Sequence, residues 1–111
     1  MSDNTSNQLE ITVEHSGDAA TVAVIGEVDL DSSLALAETL ALAGARTAPV
    51  VSLDLTGVRY MDSTGLRAIL EAKHDAERAG GNLTVIAASN IVRRLIEISG
   101  VAQLLGLPAS D

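Results

Sequence analysis

Asp62, Ser63 and Thr64 stand in a row, directly before a helical pattern carried by Leu66, Ile69 and Leu70. An apolar strand, Val50 to Leu55, leads toward them through a short loop. All three side chains can accept hydrogen bonds from the free N–H groups of a first helical turn. One of them caps the helix, and at least one hydroxyl then points outward. It stands at the positive end of the helix dipole, where added negative charge is favoured. A serine at such a place can be phosphorylated without melting the helix beneath it. Ser63 is the first candidate acceptor and Thr64 the second.

Hydrolytic chemistry finds no support in the same residues. A nucleophilic triad would need a base beside Ser63. His74 is on the same helix, roughly 16 Å further along the axis at about 1.5 Å per residue. His15 ends an early strand without a paired acid, and neither histidine has metal-ligand spacing to another ligand. There is no Gly-rich phosphate loop. Asp54 and Asp62 read as a strand-end residue and a cap rather than an acid/base pair. The chain has no Cys, which removes disulfides, thiolate zinc sites and cysteine nucleophiles. We expect a binding module, with no cofactor of its own and no catalytic residue.

Composition sets further limits. With 111 residues the chain is one small domain. Hydrophobic residues make up 47%, yet there is no Phe or Trp and a single Tyr, so Val, Ile, Leu and Ala must build the core. A net charge of −8 with only 7 Lys and Arg argues against a nucleic-acid binder. No apolar run approaches the ~20 residues that span a bilayer. Residues 1–8 are polar, unlike a signal peptide, and are expected to be a disordered tail. The domain then covers 9–107, with 108–111 as a C-terminal tail, and a cytoplasmic setting is expected.

The periodicities place these residues on alternating strands and helices. Leu9 to Glu14 alternates apolar and polar, as in a half-exposed strand. Ser16-Gly17-Asp18 is a turn into Thr21–Ile25, which makes a hairpin. A helix over about Ser32–Ala43 follows. Val50–Leu55 is almost continuously apolar, which predicts a central strand covered on both faces. A second helix over about Thr64–Ala79, a strand over Leu83–Ala87 and a third helix over Ile91–Ser99 come next, with Asn90 as its cap and Gly100 ending it. Val101–Leu105 is expected to turn, and Gly106-Leu107 to form a short last strand. The order ββαβαβα predicts an α/β sandwich with a mixed sheet.

Four motifs occur in order: Gly26-Glu27-Val28-Asp29, Asp62-Ser63-Thr64-Gly65-Leu66, Gly80-Gly81, and Arg94-Leu95-Ile96 with Ser99-Gly100-Val101. Together they resemble the STAS domain family, and within it the anti-sigma factor antagonists, from about Ile11 to Leu107. The resemblance implies that Ser63 is phosphorylated by a partner, an anti-sigma factor that is also a serine kinase. The unphosphorylated chain would bind that partner and release a sigma factor. Phosphorylation would abolish binding, and a metal-dependent serine phosphatase would reset the switch. ATP and metal would belong to the partners. The Asp29 loop would pack beside the Ser63 helix start, so that Asp29, Asp62, Thr64, Gly65 and Arg67 rim the switch. The runner-up function is a STAS scaffold or transporter-associated subunit without phospho-switching.

Two places differ from the family pattern. Relatives commonly continue into a C-terminal helix, whereas Pro108-Ala109-Ser110-Asp111 implies a short or absent one. Arg67 stands where antagonists often carry Gly. One turn beyond Ser63, its guanidinium either reaches a phosphate there or pairs with Glu71 on the surface. Finally, Leu34, Leu36, Leu40 and Leu42 cannot share one face at ~100° per residue. At least one is expected to be exposed, as part of an apolar contact surface.

Overall fold

The structure, a computed structural model, describes residues 9–108. The expected tail over 1–8 and the chain after Pro108 lie outside the described residues. The elements are β1 (Leu9–Ser16), β2 (Ala19–Val28), α1 (Ser33–Ala43), β3 (Val50–Met61), α2 (Ser63–Arg78), β4 (Asn82–Ala88) and α3 (Asn90–Ile98). The order ββαβαβα is the expected one, and the sheet is mixed. Its four strands lie in the order β1-β2-β3-β4, the first pair antiparallel and the other pairs parallel. Gly17, at φ +61°, makes the hairpin turn that joins β1 to β2.

The core is aliphatic, as the composition requires. Val22, Val24, Leu53, Leu55, Val85, Leu36, Ile69 and Ile96 are all buried. α2 is amphipathic: Leu66, Ile69 and Ala76 recur at helical spacing and face inward. Of the four leucines of α1, Leu36 and Leu40 are buried, with Thr39 and Ala43 beside them, while Leu34 and Leu42 remain 64% and 74% exposed. The four leucines split between core and solvent because no single stripe can hold them.

Several expectations need correction. β3 is not covered on both faces. Its burial alternates, with Val51, Leu53 and Leu55 inside and Val50, Ser52 and Asp54 exposed or half-buried on the opposite face. The polar residues at alternate positions were the available signal. β3 also does not stop at Leu55. It continues through the expected loop to Met61, so Asp54 is not a strand-end residue. Gly57 makes this possible, because a Cβ there would stand 2.7 Å from Ile25 Cγ1 on the neighbouring strand. Register shifts between Ala23 and Ile25 and between Gly26 and Glu27 absorb the misfit.

At the other end, Ser89, not Asn90, holds the N-cap position of α3, and its hydroxyl donates to Val58 O at 2.6 Å rather than to its own helix. No strand forms at Gly106-Leu107; Gly106 ends a turn over 102–106, and Leu107 lies in neither turn nor strand. From that turn Leu105 O accepts from the Val85 N–H at 2.8 Å, which ties it to the sheet.

Candidate functional site

The end of β3 passes beside the end of β2, where Val28 pairs with Met61. The Asp62 N–H donates to Val28 O at 3.2 Å. The chain then enters α2 with Asp62 extended at φ −109°, ψ −173°, the backbone of an N-cap. Its carboxylate accepts from the Thr64 N–H at 3.0 Å and the Gly65 N–H at 3.4 Å. The Thr64 hydroxyl also donates to the same oxygen, Asp62 Oδ1.

Asp62 is therefore the cap, and Thr64 is committed to it. Ser63, the first residue of α2, is exposed, and its hydroxyl has no partner among the described residues. The sequence left open which of the three residues caps. The backbone decides it, because only Asp62 precedes the first helical residue in extended conformation.

Asp29 follows Val28 directly, so its loop lies beside Asp62 and the α2 start. The loop is built by its own side chains. Asp29 Oδ1 accepts from the Ser32 N–H at 3.1 Å, the Asp31 N–H at 3.0 Å and the Ser32 hydroxyl at 3.1 Å. The Ser32 N–H holds the Asp29 carboxyl below its usual range; partial desolvation opposes, while the Ser32 hydroxyl and Asp31 N–H add to the lowering. Ser32 is itself buried, and its hydroxyl reaches back to Glu27 O at 2.8 Å. From the sequence, Ser32 marks only the start of a helix. The Asp29-x-x-Ser32 spacing was the signal for its second role. Leu30, between them, is exposed.

The structure thus brings Asp29, Asp62, Ser63 and Thr64 together at one corner. Gly65 belongs behind the rim, not on it, because it is buried against Val28 and Met61. Arg67 turns away from Ser63. Its guanidinium Nε pairs with Glu71 at 3.3 Å, in the surface arrangement, and both side chains are largely exposed. Asp54 stands apart on the open sheet face, where the Thr56 hydroxyl at 2.6 Å, then its N–H, lower the carboxyl against a smaller effect of burial. Among the described residues no group of His, Cys, Asp or Glu is arranged to hold a metal, and no helix is long and apolar enough to cross a membrane.

A mixed sheet in ββαβαβα order, with an exposed serine at the capped start of α2 beside an acidic loop, defines a small α/β domain of the STAS type. The family model described as Mlab, STAS domain matches residues 11–106, and the chain belongs to the STAS domain family. It is 30% identical over 92 residues to an anti-sigma-B factor antagonist of Listeria monocytogenes, covering 83% of this chain and 81% of that protein. The anti-sigma-B factor antagonist of Bacillus subtilis is 28% identical over 103 residues, covering 93% and 94% of the two chains. The crystal structure of an anti-sigma factor antagonist from Mycobacterium paratuberculosis superposes with a TM-score of 0.80 at 23% identity, over 98% of this chain and 90% of that one. This last likeness is one of fold.

Proposed function

We propose that this chain is an anti-sigma factor antagonist switched by phosphorylation of Ser63. The unphosphorylated form binds an anti-sigma factor with serine kinase activity through the corner formed by the Asp29 loop and the start of α2, and the sigma factor is released. Exposed Leu30 supplies an apolar contact beside the serine. The kinase transfers phosphate from ATP to the Ser63 hydroxyl, binding is lost, and a serine phosphatase restores it. The exchange takes place in the cytoplasm.

The observation that carries this reading is the division of labour among three adjacent residues. Asp62 caps α2, the Thr64 hydroxyl is bound to Asp62, and of the three only Ser63 is exposed with a hydroxyl that has no partner among the described residues. That supports Ser63 over Thr64 as the acceptor. A phosphate at Ser63 adds roughly −1.5 to −2 charges beside Asp29 and Asp62. Repulsion directs it outward, into the surface the partner must cover. The relatives named as anti-sigma factor antagonists support the partner class.

Intact-mass analysis with peptide mapping of the protein from its native host tests the reading. A fraction heavier by one phosphate, located on Ser63, is expected. Phosphate on Thr64 would refute the assignment of the acceptor. Phosphate nowhere, together with co-purification with a transporter ATPase, would replace the switch with the scaffold function.

A further inference from the structure

Two surface helices carry exposed stripes of matching length and opposite charge. On α1, Leu34, Glu38 and Leu42 recur every fourth residue and share one side of the helix. All three are exposed, Leu34 at 64% and Leu42 at 74%. On α3, Ile91, Arg94 and Ile98 share a side in the same way, and all three are exposed, Ile98 at 78%. At about 1.5 Å per residue the stripes span roughly 12 Å and 10 Å. Each reads apolar, charged, apolar.

The two charges are free. Neither the Glu38 carboxylate nor the Arg94 guanidinium has a hydrogen bond or ion pair among the described residues. The neighbouring Arg93, by contrast, is engaged by Glu97 at 4.0 Å and by the Pro108 carbonyl. Within one molecule the stripes do not meet, because α1 packs on α2, β1 and β2 while α3 packs on β3 and β4.

We propose that α1 of one copy docks against α3 of a second copy of this chain. Glu38 and Arg94 pair at the centre, and the leucines and isoleucines pack around them and exclude water. Charge fixes which faces meet. α1 against α1 would oppose two glutamates, and α3 against α3 two arginines, and like charges across an interface cost several kcal/mol. At a net charge of −8 two copies repel in most orientations, and α3 offers an apolar surface with a free cation. The contact joins unlike faces, so it is head-to-tail and its mass grows with concentration. Two stripes of this width fall short of the ~1,200 Å² of a stable complex, so the association is weak and reversible.

Charge exchange tests this. Sedimentation velocity would be run on the wild type, Glu38→Arg, Arg94→Glu and the double variant from about 10 µM to about 1 mM, with circular dichroism as the check on folding. The wild type is expected to sediment faster as concentration rises. Each single variant should lose at least about tenfold in association, and the double variant, whose net charge equals that of the wild type, should regain it. Recovery in the double variant cannot come from a folding defect. A wild type monomeric throughout would leave the stripes to a helix of another protein and overturn the pairing. So would single variants that associate undiminished, or a double variant that fails to recover.

Discussion

Gly65 lies so close to Val28 that a Cβ built on it would stand 2.6 Å from Val28 Cγ1 and 2.9 Å from Met61 Cγ. With the Asp62 N–H bound to Val28 O, this contact clamps the start of α2 to the end of β2. It makes the Asp29 loop and Ser63 parts of one surface. Gly65→Ala should therefore destabilise the domain by about 1–3 kcal/mol, the usual range for overpacking. The gain in helix propensity, at most ~1 kcal/mol, offsets part of this. Denaturant titration measures the difference. An alanine variant as stable as the wild type would mean that Val28 and Met61 yield freely and that the clamp is unimportant.

Stability and binding should separate at neighbouring positions. Asp62→Ala removes the cap and should cost about 0.5–2 kcal/mol. Ser63→Ala should cost little, since Ser63 caps nothing. In the proposed function Ser63→Ala also keeps most of the affinity for the anti-sigma kinase while losing phosphate acceptance. Ser63→Asp should lose at least about 100-fold in affinity, or ~2.7 kcal/mol, because it leaves an unpaired charge in a packed interface. Denaturant titration of Asp62→Ala and Ser63→Ala checks the stability half, and calorimetric titration of the two Ser63 variants against the partner checks the binding half. Undiminished binding by Ser63→Asp would remove the phospho-switch.

Phosphorylation itself should leave the fold in place. A phosphate at the first residue of α2 gains ~0.3–1 kcal/mol from the helix dipole, and repulsion from Asp29 and Asp62 cancels part of it. The melting temperatures of the two forms should lie within a few degrees of each other. A phosphorylated form that melts many degrees lower would make the switch an unfolding event instead of an interfacial one.

Acid should weaken the Asp29 loop and the Asp54 turn. Both carboxyls are lowered in the folded chain from an ordinary value of 3.8. The folded state therefore holds fewer protons than the unfolded one as these groups titrate. Their contribution is fully present above the unfolded-state value and is lost as pH falls through the lower folded one, below about pH 4. Asp29→Asn and Asp54→Asn should each show a shallower loss of stability there than the wild type. Parallel stability–pH curves would show that the hydrogen bonds to Ser32 and Thr56 are energetically silent.

The order of elements, the aliphatic core and the family were legible in the residues themselves. Period-2 and period-3.6 patterns depend on local geometry, and Gly17, Gly80 and Gly100 take the positive φ that ends their elements. Ser63 was legible as a candidate acceptor too, as one of three capping residues in a row.

What the pattern left open was decided by neighbours distant in the chain. Asp62 becomes the cap because pairing of β3 with β2 carries the backbone up to it in extended form. Gly57 reads locally as a loop and lies in a strand, because Ile25 passes where its side chain would be. Arg67 chose Glu71 over Ser63. Lys73 looks like a surface cation on α2 but is buried, its ammonium held by Asn82 Oδ1 at 2.7 Å, Leu83 O at 3.1 Å and Glu77 at 3.3 Å. A charge can be buried only where partners replace its water, and those on β4 come from beyond the end of α2. Local sequence specifies periods and caps; the partner of each polar group depends on which strands and helices are brought side by side.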